Sequence, residues 1–172
     1  MNKNRIKIGI AIISVLIASS LIGFKAKAYE ETYINSEYVE YCKEIGNGYG
    51  INYWLLVALI EAESSGRPDV ADYLTGTHIG LMQLDMYTFG GDGIDLTDPY
   101  TNIMLGTRYL SQLEDTYGDI GIALMAYHGE SDVTTKPLSG YAKGIFDRAD
   151  ALRWGNVGKN IKEINRRMKR RF

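Results

Sequence analysis

Two carboxylates, Glu61 and Glu63, lie near the end of an otherwise apolar segment, residues 51–64. The segment is apolar almost all the way round at 100° per residue, which predicts a buried helix. At that spacing Glu63 follows Leu59 and Ile60 on one apolar face, whereas Glu61 lies on another. Apolar surroundings and the negative end of the helix dipole both disfavour a charged carboxylate. Glu63 is therefore a candidate general acid; the alternative is a glutamate that simply reaches solvent at a helix end.

Three short motifs occur in order along the chain. They are Glu63-Ser64, Gly80-Leu81-Met82-Gln83 and Ala126-Tyr127, and the helical run 102–110 lies between the second and the third. In order and spacing these motifs resemble the soluble lytic transglycosylase family, whose fold is lysozyme-like. The resemblance covers roughly residues 33 to 150, which is most of the chain after its N-terminal segment.

The resemblance implies a reaction for Glu63. The residue would donate a proton to the β-1,4 glycosidic oxygen between N-acetylmuramic acid and N-acetylglucosamine in peptidoglycan. The same carboxylate would then accept the proton of the C6 hydroxyl of the muramoyl sugar, which closes a 1,6-anhydro ring. Most glycosidases use a pair of carboxylates, but this family manages with a single one because its substrate supplies the nucleophile. The expected enzyme is a peptidoglycan lytic transglycosylase, a glycosidic bond lyase whose partners are glycan strands.

The resemblance also implies a set of substrate-binding residues. Glycine in the second motif would let the backbone approach the sugar, methionine would form an apolar wall, and glutamine would hydrogen-bond acetamido and peptide groups. The tyrosine of the third motif would hydrogen-bond the catalytic glutamate, and a later tyrosine would line the cleft. In this chain the substrate-binding residues would be Ser64, Gly80, Met82, Gln83, Tyr127, His128 and Tyr141.

This chain departs from the family pattern at three places. The phenylalanine that usually stands three residues after the glutamate is Gly66, and the loop that leads to Gly80 is about two residues longer than is common. The asparagine that usually follows the tyrosine is replaced by His128. A neutral imidazole can still donate one hydrogen bond, so substrate binding is expected to survive the change.

Two other functions remain open at the level of sequence. A hydrolytic, goose-type lysozyme would use an aspartate to place a water molecule, and Asp85, Asp92 and Asp95 are available for that role. A wall-binding or assembly module with weak activity would keep the fold and lose efficient turnover. The retention of Glu63 argues against the module.

Hydrophobic periodicity predicts an all-α domain, and the resemblance implies that its fold is lysozyme-like. Strand signals are absent. Members of the family that the chain resembles often add a small β-hairpin, and residues 73–79 are its expected place. Asp98-Pro99 is a strong helix start, with Asp as the cap and Pro at the first position. The predicted helices are 33–46, 51–64, 99–117, 120–127, 139–152 and 158–171.

Residues 1–28 have the pattern of a secretory signal peptide. A basic start precedes an apolar run from Ile8 to Phe24, and Ala26-Lys27-Ala28 fits a cleavage site. An uncleaved N-terminal membrane anchor is the alternative, because the apolar run reaches the lower limit for a membrane span. Either way the protein is expected on the exported side of the membrane, at the cell wall.

The charge is distributed unevenly after residue 28. Residues 29–152, the expected catalytic domain, carry 6 basic and 20 acidic side chains, a net charge of −14. That excess argues against nucleic acid as a ligand, because a phosphate-binding domain needs a basic face. Residues 153–172 carry 8 basic side chains and 1 acidic one and form a basic amphipathic helix. This helix either packs on the acidic body or attaches to an anionic wall polymer or membrane surface.

Cysteine and histidine usage suggests no cofactor. Cys42 is the only cysteine, so it cannot form an internal disulfide, and its spacing suits a packed helix face. His78 and His128 lie far apart in the sequence and lack the spacing of metal ligands. No metal site and no cofactor are predicted.

Overall fold

The computed structural model describes residues 31–72 and 74–169, and their side chains up to residue 160. The predicted signal peptide lies outside the described residues and remains a prediction. The chain forms six helices and two short strands within the described part. They are α1 (Ser36–Tyr49), α2 (Tyr53–Ser64), β1 (His78–Ile79), β2 (Leu84–Asp85), α3 (Met86–Phe89), α4 (Pro99–Tyr117), α5 (Ile120–Tyr127) and α6 (Gly140–Lys169).

Helix α2 is the centre of the domain, as its apolar sequence predicted. It packs against α1 on one side and α6 on the other, and every residue from Leu55 to Glu61 is buried. The Asn52 side chain caps its first turn by accepting a hydrogen bond from the backbone of Trp54 at 2.9 Å. The helix ends at Ser64, and its C-cap residue Ser65 has a left-handed φ of 56°. Gly66 follows with a left-handed φ of 74°, a conformation that glycine adopts readily.

Helices α4, α5 and α6 complete the helical domain. Helix α4 begins at Pro99, and the Asp98 side chain caps it by accepting from the Thr101 backbone at 2.9 Å, as the sequence predicted. It packs against α1 and α5, and α5 packs in turn against α6. The structure therefore confirms an all-α domain with one small hairpin.

The hairpin lies further along the chain than expected. Strands β1 and β2 are antiparallel, and His78 pairs with Asp85 while Ile79 pairs with Leu84. Only β1 falls within the predicted window of residues 73–79. The motif Gly80-Leu81-Met82-Gln83 is the four-residue turn that joins the two strands.

The end of the chain differs from the prediction, because α6 is a single helix from Gly140 to Lys169. A break was expected around Gly155, and the predicted boundary of the catalytic domain at residue 152 falls inside this helix. Gly155 is buried, and with Trp54 and Leu152 it lines a small cavity. The glycine therefore lies within the helix and does not end it. None of the helices in the described ranges is long and apolar enough to cross a membrane.

Candidate active site

Glu63 lies half-buried in the last turn of α2, and its side chain is turned towards the first turn of α6. The hydroxyl of Tyr141 donates a hydrogen bond to Glu63 Oε1. Burial raises the pKa of Glu63 above its ordinary value, while the hydrogen bond from Tyr141 and the nearby His128 and His78 lower it in part. Because burial prevails, the carboxyl keeps its proton to a higher pH than an ordinary glutamate. That is the property expected of a general acid.

Tyr141 reaches Glu63 from the second residue of α6. Burial and the adjacent carboxylate raise the pKa of its phenol well above the ordinary value. The hydroxyl therefore stays protonated and acts as a donor throughout the physiological range. A donor held against Glu63 stabilises the carboxylate form once the proton has been transferred.

Glu61 lies on the other side of α2 in a different environment. Only 6% of its surface is exposed, and Arg148 of α6 contacts both carboxylate oxygens, with Nε 2.5 Å from Oε2 and Nη2 3.2 Å from Oε1. The Thr32 hydroxyl donates a further hydrogen bond to Oε1 at 2.6 Å. These contacts hold Glu61 as a structural carboxylate and confirm that the two glutamates face different sides of the helix.

The turn between the strands is held by a buried residue of α4, Asn102. Its Oδ1 accepts from the Met82 backbone at 2.8 Å, and its Nδ2 donates to the carbonyls of Ile79 and Leu96 at 2.9 and 2.8 Å. A Cβ added to Gly80 would lie 2.3 Å from Asn102 Nδ2, and Gly80 also has a φ of 81°. Gly80 is therefore required by the turn and by the approach of Asn102, whereas the sequence had suggested approach to a ligand.

Tyr127 does not make the hydrogen bond that was predicted for it. Its hydroxyl donates to the backbone carbonyl of Met82 at 2.8 Å, and the tyrosine that contacts Glu63 is Tyr141. Tyr127 nevertheless lies near the site, since the charge of Glu63 helps to raise its pKa, after the larger effect of burial. It joins the end of α5 to the hairpin turn.

Two predicted substrate-binding side chains are buried. Ser64 is 2% exposed; its hydroxyl donates to the carbonyl of Ile60 at 3.1 Å and accepts from the backbone of Gly66 at 3.2 Å. Met82 is fully buried, and Gly106 of α4 leaves room for it, because a Cβ there would lie 2.6 Å from the Met82 sulfur. Both side chains therefore stabilise the scaffold, and Met82 does not form the apolar wall that was expected of it.

Gln83 is half-buried and has a left-handed φ of 47°. Its side-chain Nε2 donates to the carbonyls of Gly80 and Val70, at 2.9 and 3.2 Å, and so closes the turn from within. His128 is exposed at the end of α5, and its ring stacks on Tyr141 with the centroids 3.8 Å apart. Glu63, Tyr141 and His128 are thus brought together by α2, α5 and α6.

Sequence reasoning gave no role to the Asn102 side chain or to the Arg148–Glu61 pair. The signal for Asn102 was its position one helical turn before Gly106 on the buried face of α4. A buried amide there needs partners, and the hairpin backbone supplies them. Arg148 lies 87 residues from Glu61 in the sequence, and no local pattern indicates that they pair.

The aspartates considered for water activation have local structural roles where their contacts are defined. Asp85 caps α3 by accepting from the Thr88 backbone at 2.9 Å, and hydrogen bonds from Thr88 lower its pKa. Asp95 accepts a hydrogen bond from the Thr97 backbone at 2.9 Å, and hydrogen bonds from Thr97 lower the pKa of Asp95. Asp92 is exposed in the Gly-rich loop. Within the described ranges, no three His, Cys, Asp or Glu side chains are grouped so that they could hold a metal ion.

Comparison with known proteins gives several partial matches. A transglycosylase of Enterobacteria phage PRD1 is 37% identical over 82 residues, which are 47% of this chain and 30% of that protein. The endo-type membrane-bound lytic murein transglycosylase A of Citrobacter koseri is 34% identical, over 42% of this chain and 40% of that protein. The membrane-bound lytic murein transglycosylase C of Yersinia enterocolitica is 32% identical, over 47% of this chain and 25% of that protein. The matches thus span less than half the length of each relative.

The match to a protein family extends further than these pairwise matches. Residues 40–147 match the transglycosylase SLT domain, a region that runs from α1 into the first turns of α6 and includes Glu63 and Tyr141. The helical fold with one small hairpin is consistent with that family's lysozyme-like fold. This chain therefore belongs to the transglycosylase SLT domain family.

Proposed function

We propose that the protein is a peptidoglycan lytic transglycosylase with Glu63 as its only catalytic carboxylate. The observation that carries the proposal is the environment of Glu63, whose pKa is raised by burial and whose Oε1 accepts from a phenol. Such a carboxyl can first act as an acid, and the anion that remains can then act as a base. The names of the relatives, two of them lytic murein transglycosylases, support peptidoglycan as the substrate.

The proposed reaction needs no second carboxylate. The Glu63 carboxyl donates its proton to the glycosidic oxygen, the bond from that oxygen to C1 of N-acetylmuramic acid breaks, and N-acetylglucosamine leaves with a free hydroxyl. The acetamido oxygen of the substrate stabilises the positive charge at C1. The Glu63 carboxylate then takes the proton from the C6 hydroxyl, whose oxygen bonds to C1 and forms the 1,6-anhydro ring. Glu63 is left protonated, ready for another turnover.

Hydrolysis by a goose-type lysozyme is the competing function. It requires a carboxylate that can orient a water molecule across from the general acid. Asp85 and Asp95 are used as a cap and a turn residue, as described above, which leaves them poorly suited to that role. We therefore favour transglycosylation.

The product decides between these functions. Purified protein incubated with peptidoglycan is expected to release fragments that end in 1,6-anhydro-muramic acid, and mass spectrometry identifies them because a hydrolytic product is heavier by one water. Fragments that all carry reducing ends would overturn the proposal in favour of a lysozyme. Binding without fragments would favour the weakly active module. Glu63→Gln is the control, and its digests should contain neither product.

We also propose that the protein works outside the cytoplasm. The substrate lies there, and residues 1–28 have the pattern of a secretory signal or an anchor. Peptide sequencing of the protein recovered from a wall fraction would show whether the chain begins after Ala28. Recovery of active protein only from the cytosol would contradict export.

A further inference from the structure

His128 stands where the family usually has an asparagine, and its contact is aromatic. The imidazole is stacked on the ring of Tyr141, with centroids 3.8 Å apart and an interplanar angle of 12°. The hydroxyl of that same tyrosine donates to Glu63. His128 is therefore placed to affect Glu63 indirectly, because it stacks on Tyr141, which hydrogen-bonds Glu63. An asparagine side chain has no ring with which to stack.

The surroundings of Tyr141 explain why such a contact matters. Besides meeting His128, Tyr141 borders a cavity of about 680 Å³ between α2 and α6. Helix α6 contributes Gly140 and Gly144 to the lining of that cavity, and neither has a side chain that could support the phenol. Tyr141 packs in part against the hydrophobic core, and its other side borders this open cavity. Packing fixes a side-chain rotamer only where atoms are in contact. Among the described residues, the imidazole of His128 is the ring that stacks on Tyr141.

We propose that His128 is a positioning residue, whose stacked ring holds the phenol of Tyr141 so that its hydroxyl remains on Glu63. In this role the imidazole does not need to touch the sugar. The inference rests on the proposed function only for its kinetic consequence, because the contact between Tyr141 and Glu63 exists in the protein alone. The positioning role differs from the hydrogen bond to substrate that the sequence suggested for this residue.

Two substitutions at His128 distinguish a stacking role from a hydrogen-bonding role. His128→Phe keeps a ring that can stack and removes the hydrogen-bonding group, whereas His128→Asn keeps a hydrogen-bonding group and removes the ring. Both variants lack the imidazole charge, so any effect of that charge on Glu63 cancels when one is compared with the other. The charges of His78 and Glu130, which also face this site, are the same in both. His128 is exposed at the end of α5, so both variants are expected to fold.

The first measurement is a titration of the Glu63 carboxyl carbon by NMR in the protein without substrate. The hydrogen bond from Tyr141 lowers the pKa of Glu63, so its loss must raise that pKa. We expect Glu63 to titrate at a higher pH in His128→Asn than in His128→Phe. In a Tyr141→Phe background the difference between the two variants should vanish, because the hydroxyl through which the ring acts is gone. This measurement is valid even if the protein proves to have another activity.

The second measurement is turnover of peptidoglycan. We expect kcat to be lower in His128→Asn than in His128→Phe by about two- to tenfold, the range that an aromatic contact typically supplies. KM should differ little between the two. Greater activity and a lower KM in His128→Asn would show that His128 hydrogen-bonds the substrate, which overturns the proposal. Equal titration of Glu63 in the two variants would overturn it as well, whatever the kinetics.

Discussion

Glu61 and Glu63 are two residues apart on the same helix, yet they have opposite environments. Glu61 is almost fully buried and has its charge compensated by Arg148 and Thr32. Glu63 is half-buried, receives one neutral phenol and has no cation within the salt-bridge distance among the described residues. A carboxylate that is fully paired is held in one position. One that is desolvated but left unpaired keeps its proton, which is useful for catalysis and unfavourable for stability.

The largest expected effect is on activity and distinguishes the two glutamates directly. Glu63→Gln retains the size and the hydrogen-bond acceptor but cannot give up a proton, so turnover should fall by about 10²–10⁴. Glu61→Gln should keep most of its turnover per folded molecule, since Glu61 is held by Arg148 on a different face of α2 from Glu63. Release of soluble muropeptides from purified walls measures both variants. An inactive Glu61→Gln beside an active Glu63→Gln would show that the site is assigned to the wrong residue.

The second-largest expected effect is a loss of folding stability when Glu61 is substituted. Glu61→Gln leaves Arg148 largely buried beside a neutral amide, and breaking a buried pair in this way typically costs about 3 kcal/mol. Thermal unfolding should therefore show a clearly lower Tm for Glu61→Gln. Glu61→Gln combined with Arg148→Met should lose less than the two single changes added together, because no unpaired charge remains. Strict additivity would mean that the two residues do not act as a pair.

The smallest effect has the opposite sign and concerns Glu63→Gln. Because burial raises the folded pKa of Glu63, the folded state binds more protons than the unfolded state between the ordinary pKa and the raised one. Glu63 therefore reduces stability progressively as the pH rises through that window, and its penalty is absent below it. Glu63→Gln should be slightly more stable than the wild type at neutral pH and equal to it in acid. Chemical denaturation at several pH values tests this, and a lower stability of Glu63→Gln at neutral pH would contradict it.

Local sequence predicted features that depend on neighbours along one helix. The apolar faces of α2, the separation of Glu61 from Glu63, and the start of α4 at Asp98-Pro99 were all visible as spacing or capping patterns. In each case the interacting atoms lie within about two turns of one another, where geometry is fixed by the helix itself.

The errors concern partners that are distant in sequence. Tyr141 is 78 residues from Glu63, and no local pattern shows that it, and not Tyr127, donates to the carboxyl. The pairing of β1 with β2 also had no alternating pattern to mark it, because each strand has only two residues. The break predicted between residues 152 and 158 is absent for a different reason, since a glycine inside a helix and one that ends it look the same in the sequence.

Helix α6 carries a residue of the candidate site, Tyr141, near its start and a run of basic residues towards its end. It is one unbroken helix of 30 residues, Gly140–Lys169, about 45 Å long at about 1.5 Å per residue. If the basic end of α6 attaches to a polymer or membrane surface, the helix holds the cleft at a fixed height above that surface. The cleft then reaches only the glycan strands that lie at this height. Neutron reflectivity on an anionic bilayer would measure the height. Asn156→Pro should bend the helix and so change this height, without altering cleavage of short soluble glycans.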